Sequence, residues 1–170
     1  MKVAIVALVV ATSACLVSLA AAASQFLGDF LISNLVVDAP FQAYPNSTAS
    51  SFVWFDFSDQ DTLHVNPTRC IVEWAVGITS ENGTATCANN TFTVQIPDTT
   101  YYGIQNFSID LSHTYLDNTV GDPPYNVLTK LGGLNITFPE IENYKCDLSR
   151  GHCASVADAS FLAVVTAAIA

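Results

Sequence analysis

Apolar and polar residues alternate one for one through much of this chain. Thr91-Phe92-Thr93-Val94-Gln95-Ile96 puts Phe92, Val94 and Ile96 on one side. The stretch 106–112 turns Phe107, Ile109 and Leu111 the same way, and 134–138 does so with Leu134, Ile136 and Phe138. A period of two is the mark of a half-buried antiparallel strand. Runs rich in Val, Ile, Phe and Trp predict further strands over 30–37, 52–57, 70–78, 126–131 and 156–166. Turn residues punctuate them at Pro45-Asn46, 59–67, 80–83, 97–103, 117–125 and Gly132-Gly133, the last read as a turn or β-bulge. Helical signal is confined to the Ala-rich region near Ala154. The runs 52–55 and 161–165 are apolar on both faces, which suits a closed barrel or tightly packed sandwich with a second layer or a partner over the outer side. The expected fold is all-β: a compact antiparallel β-barrel or tightly closed sandwich of about 8–11 strands.

The first 23 residues stand apart from this pattern. Lys2 precedes an apolar stretch from Ala4 to Ala20 with no acidic residue, and Ala20-Ala21-Ala22-Ala23 supplies small residues before Ser24. That is the pattern of a signal peptide cleaved near Ala23, leaving one secreted domain over 24–170. Cys15 leaves with the leader, and Cys70, Cys87, Cys146 and Cys153 remain. An even set of cysteines in an exported domain reads as a disulfide framework with three possible connectivities. Loop closure favours neighbours, Cys70 with Cys87 and Cys146 with Cys153, each bridge contributing about 2.5–3 kcal/mol. Five glycosylation sequons, at Asn46, Asn82, Asn89, Asn106 and Asn135, agree with export, whereas Asn66-Pro67-Thr68 is excluded by its proline. Asn106 and Asn135 fall on the polar phase of their strands, where a glycan clears the core. The segment from Ser160 to Ala170 reads as a strand rather than the removed tail of a glycolipid-anchor signal, because the polar spacer such a signal needs is missing.

The chain carries a formal charge of −10. Without Lys2 only Arg69, Lys130, Lys145 and Arg150 oppose fifteen acids. Nucleic acid and anionic membranes are poor partners for such a surface, and no membrane span is expected after the leader.

Reactive side chains are few. His113 has Asp110 and Ser112 nearby in sequence, but on a strand those two share a face and His113 points to the other, so no Ser-His-Asp triad is expected there. Asp56, Asp59 and Asp61 crowd one turn with Glu73 on the next strand, and they read as solvated turn acids rather than a glycosidase pair or calcium loop. His64 sits in a polar turn, and His152 abuts Cys153 without a zinc-knuckle spacing. No catalytic residue, metal or cofactor is expected. Tyr101 and Tyr102, in a loop between Pro97 and Gly103, are candidates for anchoring a partner.

Phe52-Val53-Trp54, the pair Cys70 and Cys87, and the ending Cys153-Ala-Ser-Val156-Ala157-Asp158-Ala159 with Leu162 to Thr166 together resemble the Alternaria major-allergen-like family of small secreted fungal proteins. The resemblance runs from about Leu31 to Thr166. It implies a compact antiparallel β-barrel, disulfides joining first to second and third to fourth cysteine, and a role as allergen, effector or elicitor. Some members have an N-terminal cysteine that cross-links a dimer; the mature chain has none, so a covalent dimer is not expected here. The resulting expectation is a secreted, non-enzymatic effector-like or elicitor-like protein that binds a host extracellular protein or cell-wall component. The alternatives are a barrel carrying a small apolar ligand and, behind it, a secreted hydrolase.

Overall fold

The computed structural model describes residues 28–62 and 64–170. The expected leader and its cleavage site lie outside the described residues. Among the described residues ten strands form, and helical structure is limited to single turns such as Pro40–Ala43. The strands are β1 (Phe30–Asp38), β2 (Ser51–Asp59), β3 (Thr68–Trp74), β4 (Thr84–Cys87), β5 (Phe92–Gln95), β6 (Asn106–Leu116), β7 (Val127–Thr137), β8 (Tyr144–Asp147), β9 (His152–Ser155) and β10 (Ser160–Ile169).

All pairings are antiparallel, and the main ladder runs β4-β3-β2-β1-β10-β7-β6-β5. β4 and β5 are its two edges, and the short segment 88–91 brings them side by side, so the sheet curls into a nearly closed barrel. Closure hides the strand edges that an open sheet would expose. β1 serves two partners along one side, pairing β10 over Phe30–Ser33 and β9 over Val36–Asp38. Between these stretches its register to β2 shifts at a bulge where Asn34 takes a left-handed φ of 53° and donates to Asp56 Oδ2 at 2.8 Å.

The inward rows meet as a packed interior. Phe57 lies edge-on to both Phe30 (5.0 Å) and Phe92 (4.8 Å), the geometry that aromatic quadrupoles favour. Phe55, Phe107, Ile109, Ile136 and Tyr144 are fully buried with them, and the Tyr144 hydroxyl donates to the Ile104 carbonyl at 2.9 Å.

Several boundaries differ from the sequence-based expectation. β7 runs unbroken through Gly132-Gly133, so the glycines are not a turn. A Cβ on Gly132 would stand 2.6 Å from the Val164 carbonyl oxygen, and the glycine is what lets β10 approach. The register shift lies opposite, between Val165 and Ala167 of β10. The Ala154 region is β9, not a helix, and a turn at 156–159, with Asp158 at φ 61°, delays the last strand to Ser160.

Both disulfides are Cys70–Cys87 and Cys146–Cys153, each joining residues directly opposite in register, on β3–β4 and β8–β9. They clip two short parts of the ladder, where four paired residues per strand would hold poorly alone. Such bridges fit an oxidising compartment. Among the described residues no helix is long and apolar enough to cross a membrane. Replacing Cys70 and Cys87 together by alanine should lower unfolding free energy by about 3 kcal/mol in urea titrations. A loss under about 0.5 kcal/mol would mean the β3–β4 ladder holds without its bridge.

Candidate functional site

Three ionisable residues extend the inward rows at one end of the barrel. Asp59 follows Val53, Phe55 and Phe57 on β2; His113 follows Phe107, Ile109 and Leu111 on β6; Lys130 follows Leu128 on β7. Each is buried. Strand alternation forces them inward, and the register stacks them at the same level.

Lys130 Nζ donates to Asp59 Oδ1 at 2.6 Å, Asp61 Oδ2 at 2.7 Å and the Gly28 carbonyl at 2.7 Å. An ammonium has three hydrogens, and all three are used. It also lies 5.0 Å from the Phe30 ring centroid. Asp59 Oδ1 further accepts from the Asp61 amide at 3.0 Å, and Oδ2 contacts His113 Nδ1 at 2.8 Å. Asp61 accepts the Gly28 amide on both oxygens, at 3.0 Å each. Burial alone would push the Asp59 carboxyl up. The hydrogen bonds from His113 and Lys130, the Asp61 amide and the lysine charge outweigh it and hold the carboxyl below its ordinary value.

An ionised carboxylate only accepts, so His113 Nδ1 carries the proton shared with Asp59, and a neutral imidazole then presents Nε2 as a lone pair. The ring stacks flat on Phe92 at 3.8 Å, with Tyr115 tilted 5.0 Å away. Burial, with the charges of Asp59, Asp61 and Asp117, pushes the Tyr115 phenol up to about 12.

His113 and Tyr115 line a cleft of about 440 Å³ shared with Thr62, Val65, Leu116 and Val127 among others. Among the described residues Nε2 has no hydrogen-bond partner, and it is not fully enclosed. Leu116 and Val127 face each other in the β6–β7 register, and are 72% and 41% exposed. Tyr125, in the loop joining these strands, is 78% exposed. An open apolar lip therefore surrounds a buried polar floor.

The residues singled out from sequence are distributed differently. Asp59 is not a solvated turn acid: the end of β2 carries it, buried, onto Lys130, whereas Asp61 is a turn acid that stays partly in water while it too reaches that lysine. His113 does have an aspartate, but it is Asp59, across the barrel, while Asp110 and Ser112 point outward as expected. Lys130 was missed altogether; its signal was a lysine in the inward phase of an apolar strand. The Tyr101-Tyr102 pair splits at the opposite end. Tyr101 packs edge-on against Trp74 at 5.3 Å, and Tyr102 is 77% exposed. His152 sits 3.2 Å from Asp38. Asn46, Asn82, Asn106 and Asn135 are exposed, whereas Asn89 is half-buried, accepts from the Thr91 amide and hydroxyl, and borders the cleft.

Comparison with known proteins yields no match: no family model, no curated protein and no solved structure aligns significantly with this chain.

Lys130→Met would leave the Asp59 carboxylate buried without its cation and should cost about 3–5 kcal/mol in urea unfolding. Arg69→Met, which breaks the exposed pair with Asp56, should cost no more than about 1 kcal/mol. Comparable losses would contradict the burial argument. Because the folded-state pKa of Asp59 is depressed, its contribution is present above the ordinary carboxylate value of about 3.9 and is lost as pH falls through the lower folded value. Asp59→Asn should flatten the acid limb of the stability curve between about pH 5 and about pH 2. An unchanged limb would show that this carboxyl carries no linkage.

Proposed function

We propose that this chain is a secreted, non-enzymatic protein of effector or elicitor type, working outside the cell by binding a host or extracellular component. The leader pattern, the five sequons and the two disulfides support export, and the resemblance of Phe52-Val53-Trp54 and the Cys153 to Ala159 ending supports the effector class. The observation that carries the reading is the exposed apolar pair Leu116 and Val127 on the rim of the His113 cleft, with Tyr125 exposed in the loop that joins their strands, on a packed and stapled scaffold. Exposed aromatic and aliphatic groups held on a rigid frame are what a partner can bury with little ordering cost.

Turnover is less well supported. The Asp59–His113 pair resembles two thirds of a hydrolase triad, but among the described residues no serine, threonine or cysteine hydrogen-bonds to Nε2. Asp59 and Asp61 converge on one ammonium instead of facing each other across a sugar-sized gap. A carrier holding its ligand inside the barrel would have to displace Phe30, Phe55, Phe57 and Phe107, which fill the interior.

Immobilised oxidised protein should retain a defined component of plant extracellular fluid, identified by mass spectrometry. A Leu116→Asp/Tyr125→Asp variant should lose it by at least about tenfold, because charge at a binding centre is costly. Tyr102→Asp, at the other end, should keep it. All three side chains are exposed, so the variants should fold. Capture of nothing specific, or equal capture by every variant, would sink this reading.

A further inference from the structure

We propose that the cleft at the His113 end binds a neutral, largely aliphatic alcohol, whose hydroxyl donates to His113 Nε2 while its hydrocarbon body lies against Val65, Leu116 and Val127. This takes from the partner-binding reading only the premise that this end is a binding surface, and names a ligand for it.

Three observations converge. The first is a buried, directed acceptor. His113 is 1% exposed, its Nδ1 is committed to Asp59, and its Nε2 has no partner among the described residues though the residue lines the cleft. Asp59 is itself held by Lys130 and the Asp61 amide, so the imidazole has a fixed orientation and a fixed tautomer. A lone pair in such a place pairs with a donor, and a hydroxyl is a small neutral group that supplies one.

The second is the wall around it. Leu116, Val127 and Val65 are aliphatic, and the first two are left in water by the barrel. Covering them is favourable for any hydrocarbon that fits. A volume of about 440 Å³ lies in the range of sites for small molecules rather than ions.

The third is charge. Asp59 and Asp61 set two negative charges against the one of Lys130, and the chain carries −10 overall. A carboxylate of the same skeleton would bring a further negative charge towards a lone pair. An ammonium would donate to Nε2 but would give up its strong hydration in the cleft, a cost that a neutral hydroxyl largely avoids. The neutral donor meets neither penalty.

The test uses the intact oxidised domain at pH 8, followed by NMR with the histidines labelled in the ring with nitrogen-15. The probes are 1-adamantanol, its methyl ether, which keeps the hydrocarbon but cannot donate, and 1-adamantanecarboxylate. The alcohol should bind at least about tenfold more tightly than the ether, the scale of one well-placed hydrogen bond. Its binding should also shift the Nε2 resonance of His113. Competition by dehydroergosterol or by 1-dodecanol then tells a ring from a chain as the source of the hydroxyl. Equal affinity for alcohol and ether, preference for the carboxylate, or an Nε2 that already carries a proton would each overturn the proposal. His113→Phe, which keeps a ring on Phe92, should abolish the preference for the alcohol. If that variant unfolds, the probe series on the unaltered protein still decides. Partner capture uses none of these probes, so the two readings can fail separately.

Discussion

A lysine ammonium buried in a barrel must find three acceptors or forfeit its charge, and the end of this barrel is organised around that demand. Asp59 supplies one from β2, Asp61 another from the turn that follows, and the Gly28 carbonyl the third. The same contacts tie the start of the described chain to β7, 102 residues away, and Asp61 doubles the tie by accepting the Gly28 amide. A buried charged cluster is weak evidence of net stability, because desolvation consumes much of the Coulomb gain. What it does provide is direction. The arrangement of strands seen here gives every one of these charges a partner, and through Asp59 it holds the His113 ring.

The two ends of the barrel are therefore unlike. At one end Trp74, Tyr101 and Tyr144 close the interior with aromatic packing and a neutral hydrogen bond. At the other, charges close it from inside and leave an apolar rim outside. Eleven paired residues of β6 and β7 separate Tyr102 from Leu116, about 34 Å at strand rise. A partner or ligand can occupy one end without touching the other.

An aspartate-oriented histidine is a reagent in hydrolases and an acceptor in binding sites, and the difference lies in what faces its free nitrogen. Here the histidine lines a cleft with aliphatic edges, and its Nε2 has no hydrogen-bond partner among the described residues. Asp59 divides its oxygens between imidazole and ammonium, so the pair is anchored as part of the core. The cleft is then a place where a donor is recognised, which fits a scaffold stiffened by packing and by two bridges across short ladders.

Much of this was legible along the chain. The inward rows of β5, β6 and the end of β7, the outward placing of Asn106 and Asn135, and the all-β class follow from a period of two, since a strand has only two faces and water selects between them; the inward row of β2, apolar on both faces over 52–55, does not. Even the buried ions leave a trace, because Asp59, His113 and Lys130 continue those rows in phase. Alternation tells which way a side chain points but not what it will meet. The strands carrying these three residues are brought together by closure of the sheet, over separations of 54 and 71 residues. Whether Asp59 ends in water or on an ammonium, whether Gly132 turns the chain or admits β10, and which aspartate reaches His113 were decided only when distant strands came into register. Local pattern specifies a face; the partner on that face is a property of the closed barrel.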